Sequence, residues 1–113
     1  AIRENTAQGL DALESATQAL LELGRDDLAK AAAVATPYLQ LFGTVAGGAL
    51  LAKQAAAAAR QLGTGAQTRR DVLQGKLGGA RYYAANVMPR AQSLLAEVRQ
   101  GADSTLELDE TLF

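Results

Sequence analysis

The sequence predicts an all-α fold: an antiparallel bundle of three long helices, or four if the second breaks at Pro37. Three observations predict it. Much of the 49% hydrophobic content is alanine, which has the best helix propensity and loses no side-chain entropy on folding. Only Tyr38, Phe42, Tyr82, Tyr83 and Phe113 are aromatic, so residues that strands prefer are scarce. Apolar residues recur in alternating steps of four and three, the mark of a buried helix face. At 113 residues the chain holds one core, hence a single domain over residues 1–113.

The first helix reads from Ile2 to Leu23. Ile2, Thr6, Gly9, Leu13, Ala16, Leu20 and Leu23 make its apolar stripe, widened by Leu10, Thr17 and Leu21. Gly24 is a natural residue to end it, because glycine takes positive φ without steric cost. Asp26 and Asp27 then stand where the next helix dipole favours carboxylates. The second helix reads from about Asp26 to Leu62, with a kink or break near Thr36 imposed by Pro37. The run Leu62-Gly63-Thr64-Gly65 stops it.

The third helix starts near Gln67 or Thr68 and reaches about Gln100. Its seam is the sharpest pattern in the chain: Leu73, Leu77, Ala80, Ala84, Val87, Ala91, Leu94 and Val98. Pro89 should kink it, and Gly101 should end it. The acidic stretch 102–113 reads as an extended tail that packs along the bundle or frays.

Composition excludes several chemistries. There is no cysteine and no histidine. Disulfides, thiolate catalysis, a Ser-His-Asp triad and a histidine-ligated zinc site are therefore ruled out for this chain. A net charge of −1 gives no global pull toward nucleic acid or anionic lipid. Glu22, Glu97 and the tail acids carry no signal of burial, so no catalytic, cofactor-binding or metal-ligating residue is assigned.

Three other features invite function. Residues 31–52 contain no charge over 22 positions, long enough to span a bilayer, and Gly43 and Gly47 have the spacing of close-packed membrane helices. The competing reading is a central bundle helix surrounded by neighbours, and diluting threonines, glutamine and glycines favour it. Charge is also segregated. Residues 1–30 balance to −3, residues 53–99 to +6 and residues 100–113 to −4. Mutual neutralisation within the bundle explains this better than an anionic partner does, and nucleic acid is disfavoured further by the few aromatics. Finally, Lys76-Leu77-Gly78-Gly79-Ala80-Arg81-Tyr82-Tyr83 places two glycines in mid-helix, at about 1 kcal/mol each relative to alanine. Gly43, Gly47, Gly78 and Gly79 are therefore expected at close helix–helix contacts. Lys76, Arg81, Tyr82 and Tyr83 are candidates for an interdomain or ligand contact.

The run from Ala35 through Tyr38, Phe42 and Gly43 to Gly47-Gly48, then Lys76-x-x-x-Ala80-Arg81-Tyr82-Tyr83-Ala84 and Met88-Pro89, resembles the extra C-terminal domain of one branch of the acyl-CoA dehydrogenases. That branch includes enzymes similar to methylthiopropionyl-CoA dehydrogenase. Gly101-Ala102-Asp103 and the final Leu112-Phe113 are similar to its ending. Ala49 departs from the pattern, where an aromatic residue often stands.

The resemblance implies a parent enzyme that oxidises an acyl-CoA to its 2,3-enoyl-CoA, with FAD bound upstream of this domain. It implies no catalytic residue here. Lys76, Arg81, Tyr82 and Tyr83 would be architecture, interdomain contacts or contacts to the CoA phosphates. It further implies upstream domains in the same chain, a homo-oligomeric parent, a bacterial source and a cytoplasmic place in fatty acid metabolism. Ala1 in place of methionine, with no visible signal peptide, fits a piece of a longer chain. The alternatives are an alanine-rich amphipathic protein that coats a lipid or polymer surface, and a free-standing helical adaptor.

Overall fold

A computed structural model describes residues 1–64 and 69–107, with the backbone alone for 102–107. Among the described residues five helices make three rods. The first rod is α1 (Ile2–Asp26). The second is α2 (Leu28–Ala33) followed by α3 (Ala35–Gly63). The third is α4 (Arg70–Asn86) followed by α5 (Arg90–Glu107). The middle rod runs antiparallel to the other two, and the molecule measures 66 Å along its long axis.

Both prolines break their helices, and both do so from the start of the following one. A proline ring in a continuous helix clashes with the carbonyl four residues back and leaves it without a donor. At Pro37 the chain resolves this at Val34, whose φ of −105° and ψ of 11° separate α2 from α3. Pro37 then lies in the first turn of α3, where its missing N–H removes nothing. Pro89 acts the same way just ahead of α5. The intervening turn hangs on one acceptor: the Tyr83 carbonyl takes the N–H of Val87 at 2.8 Å and of Met88 at 2.9 Å. Met88 would otherwise bond Ala84. The freed Ala84 carbonyl accepts from the Asn5 side chain of α1 instead, at 2.7 Å. The third helix is thus split in two, where the sequence predicts a kink.

Two expected helix ends move. α1 runs through Gly24 to Asp26. Asp27 takes the extended conformation, closes α1 through its N–H to the Leu23 carbonyl at 2.7 Å, and caps α2 by accepting from Ala29 N at 3.0 Å. A carboxylate cap satisfies an orphan donor, which a glycine stop does not. α5 likewise passes Gly101 and stays helical to Glu107, where an extended tail was expected from Ala102. Residues 108–113 of that tail lie outside the described residues. The stop after Leu62 is where it was expected, and α4 starts at Arg70 behind Arg69, which has φ of 65°.

The core joins all three rods. Ala12 and Ala16 from α1, Val34, Leu41 and Val45 from the middle rod, and Met88, Ala91, Leu95 and Val98 from the third form one buried cluster. The predicted seam holds. Leu73, Ala80, Ala84, Ala91 and Val98 are buried, and Leu77, Val87 and Leu94 are half-buried. On α1 the inner stripe packs, while Leu10 and Leu21 are exposed.

Met88 is the key of the core. Its thioether is wedged between Gly9 of α1 and Gly48 of α3: a Cβ at Gly9 would overlap the Met88 sulfur, and one at Gly48 would overlap its terminal methyl. Tyr83 covers the next positions. A Cβ would stand 3.0 Å from its ring at Gly48 and 3.1 Å from its hydroxyl at Gly47. Gly47 makes a close contact with Tyr83 of α4. Gly43, Gly78 and Gly79 do not, since a Cβ there would meet nothing within 4 Å. These three lie on exposed helix faces, so their glycine spacing records no helix–helix contact among the described residues.

Candidate functional site

The four residues singled out on α4 part company in space. Tyr83 turns inward: its hydroxyl donates to the Thr44 carbonyl at 2.6 Å, and burial raises its pKa above the ordinary tyrosine value. It is a packing residue with a satisfied polar tip. Tyr82, the residue before it, is 66% exposed. Lys76 and Arg81 are both exposed, but a five-residue separation places them roughly 140° apart around the helix. The structure therefore does not bring Lys76 and Arg81 onto one face, as a pair gripping a single phosphate would need.

A second tyrosine ties α1 to α3. Thr17 Oγ1 gives its proton to the Leu13 carbonyl at 2.8 Å. The Tyr38 hydroxyl, 2.8 Å from the same oxygen, must then be the donor of that pair, because a hydroxyl has one proton to give. Both tyrosine hydroxyls of the interior are spent on architecture.

Among the described residues no group of three or more Asp or Glu stands together to hold a metal ion. Across the bundle, Asp11 of α1 and Arg99 of α5 line one shallow groove.

The surface carries more information than the interior. The sequence reading makes α3 a helix enclosed on all sides, and the structure corrects this. α3 buries Leu41, Val45, Gly48, Ala55 and Ala58 but leaves Leu39 67%, Phe42 51% and Leu50 62% exposed. Three rods enclose only one side of the middle one. The outer stripe of Leu39, Phe42, Ala46 and Leu50 follows helical spacing and carries no charge. By length and composition α3 is apolar enough to cross a membrane, yet its inner face is packed against α1, α4 and α5. On α4, Val72 and Tyr82 are also exposed. Between α1 and α3 lies an apolar groove of about 640 Å³ that sequence reasoning missed. Its signal was present in the Ala49, Ala52 and Ala56 spacing, but alanines at helical intervals read equally well as core.

Fold and surface together define a class: a helical domain with a packed interior and, among the described residues, exposed apolar faces. The chain belongs to the acetyl-CoA dehydrogenase C-terminal like family, whose model matches residues 1–109. No curated relative matches the chain. The family places it as a C-terminal domain of acyl-CoA dehydrogenase-like proteins, alongside other domains of the same chain.

Proposed function

We propose that this is the non-catalytic C-terminal domain of an FAD-dependent acyl-CoA dehydrogenase. The parent oxidises an acyl-CoA to its 2,3-enoyl-CoA, and the domain serves interdomain packing or assembly of a homo-oligomer. Family membership supports this enzyme class. The observation that supports the role is the bare stripe of Leu39, Phe42 and Leu50 on α3: exposed apolar patches of this kind mark protein contacts. A cytoplasmic location in bacterial fatty acid metabolism completes the reading.

The flavin of such an enzyme does not fit the described residues of this chain. Its ring and pyrophosphate call for a cleft with several placed polar groups. The groove between α1 and α3 is walled mainly by alanine, leucine and isoleucine, with Thr6 as its one polar uncharged side chain and Arg3 and Lys53 as its charged residues. No step of the oxidation runs through these helices.

The full-length protein tests the reading. It should carry FAD and reduce an artificial electron acceptor with an acyl-CoA. A full-length chain without flavin that oxidises no acyl-CoA overturns it. Within that enzyme, Leu39→Glu with Phe42→Glu should dissociate subunits or loosen the domain, read by sedimentation and limited proteolysis. Charge reversal at Lys76 and Arg81 should leave the Michaelis constant unchanged. A large rise would place α4 at the CoA phosphates.

A further inference from the structure

The groove between α1 and α3, to which α4 adds Leu77, has two straight banks with matched spacing. On α1 the bank is Arg3, Thr6 and Leu10; on α3 it is Ala49, Ala52 and Ala56. Each set steps by three and then four residues, so each is a continuous ridge along one helix face. Small side chains on the α3 ridge leave room for a third helix to seat at the usual interaxial distance of about 8–10 Å.

Its charge is one-sided. Arg3 on one bank and Lys53 on the other are the charged lining residues, and both are exposed. Arg60, also exposed, follows Lys53 by two turns on the same face. α3 carries no acid at all, and the nearby acids of α1, Glu4 and Asp11, do not line the groove. An apolar floor between cationic banks is complementary to a helix whose apolar stripe is flanked by carboxylates.

We propose that this groove seats an acidic amphipathic helix from a preceding domain of the same chain. The proposal rests on the reading of this chain as an attached C-terminal domain, and adds which face is docked and the chemistry of what docks there.

Two measurements on the full-length protein test it. In the first, Ala56→Cys and Gln54→Cys, both at positions exposed in this structure, are labelled with a maleimide and followed by mass spectrometry of that peptide. Ala56→Cys should react at least ten-fold more slowly than Gln54→Cys, and Arg3→Glu with Lys53→Glu should restore its rate. Equal rates overturn the proposal. In the second, zero-length carbodiimide coupling should join Lys53 to a carboxylate preceding residue 1. Coupling of Lys53 to a second copy of this domain, detected by mixed isotope labelling, overturns it. An active flavoenzyme with freely labelled Ala56→Cys would sink the groove alone. A flavin-free, inactive chain would sink the reading beneath it.

Discussion

Glycine does opposite things in the two long rods that face each other. In α3, Gly47 and Gly48 make the hollow that receives Tyr83 and Met88, and Gly9 of α1 closes it from the far side. In α4, Gly75, Gly78 and Gly79 have open space where a Cβ would be. The first group converts lost side chains into close packing, which raises dispersion contacts at the centre of the bundle. The second group destabilises its helix with no contact among the described residues to offset that. A glycine in a helix is therefore informative only once its neighbour is known, and here the neighbour of Gly48 comes from a proline break forty residues downstream.

The largest effect should come from emptying the hollow. Met88→Ala removes a side chain that is 2% exposed and clamped between two glycines, so unfolding free energy should fall by about 2–5 kcal/mol. Met88→Leu, nearly equal in volume, should cost less than about 1.5 kcal/mol. Denaturant melts of both variants check this, and equal losses would mean that the hollow is loosely filled.

Filling the hollow from the other side should cost about 1–3 kcal/mol. Gly48→Ala drives a methyl into Met88, outweighing the gain of about 1 kcal/mol in helix propensity. Combining it with Met88→Ala should recover part of that loss, because the two sites share one space. Strict additivity in the double variant would contradict the contact.

A smaller effect is expected at Tyr83→Phe, which removes the hydrogen bond to Thr44 and should cost about 0.5–1.5 kcal/mol. It also changes the pH response. The folded pKa of Tyr83 is raised by burial, so the unfolded chain gives up this proton first. Its contribution is complete below the unfolded value of about 10 and is lost as pH rises through the folded one. The wild type should therefore weaken more than Tyr83→Phe above that point in pH-dependent melts.

Much of this fold was legible in the sequence, and the reasons are specific. The seam from Leu73 to Val98 survives the break at Pro89 because the interruption spans only residues 87–89, so Ala91 resumes in phase four residues after Val87. Periodicity could not show that Met88, beside the seam, is more deeply buried than Leu77 or Leu94 on it. Local deviation of the chain at the proline turns it inward. Nor could it show that Asp27 overrides Gly24 as the corner of α1 and α2, since that choice is a competition between a side-chain cap and a backbone preference. The candidate contacts Lys76, Arg81, Tyr82 and Tyr83 are adjacent in sequence and dispersed around a helix, a distinction that needs the identity of the inward face. The exposed stripe of α3 was invisible for a related reason: a run without charge looks the same whether neighbours cover all of it or half.

The comparison of the two glycine groups is tested most directly by one pair of thermal melts on this chain, Gly48→Ala against Gly79→Ala. Gly79→Ala adds a methyl in open space on a helix face and should raise stability by about 0.5–1 kcal/mol, while Gly48→Ala should lower it. Opposite signs are the predicted result. Two shifts of the same sign, in either direction, would contradict the account of a bundle keyed by Met88.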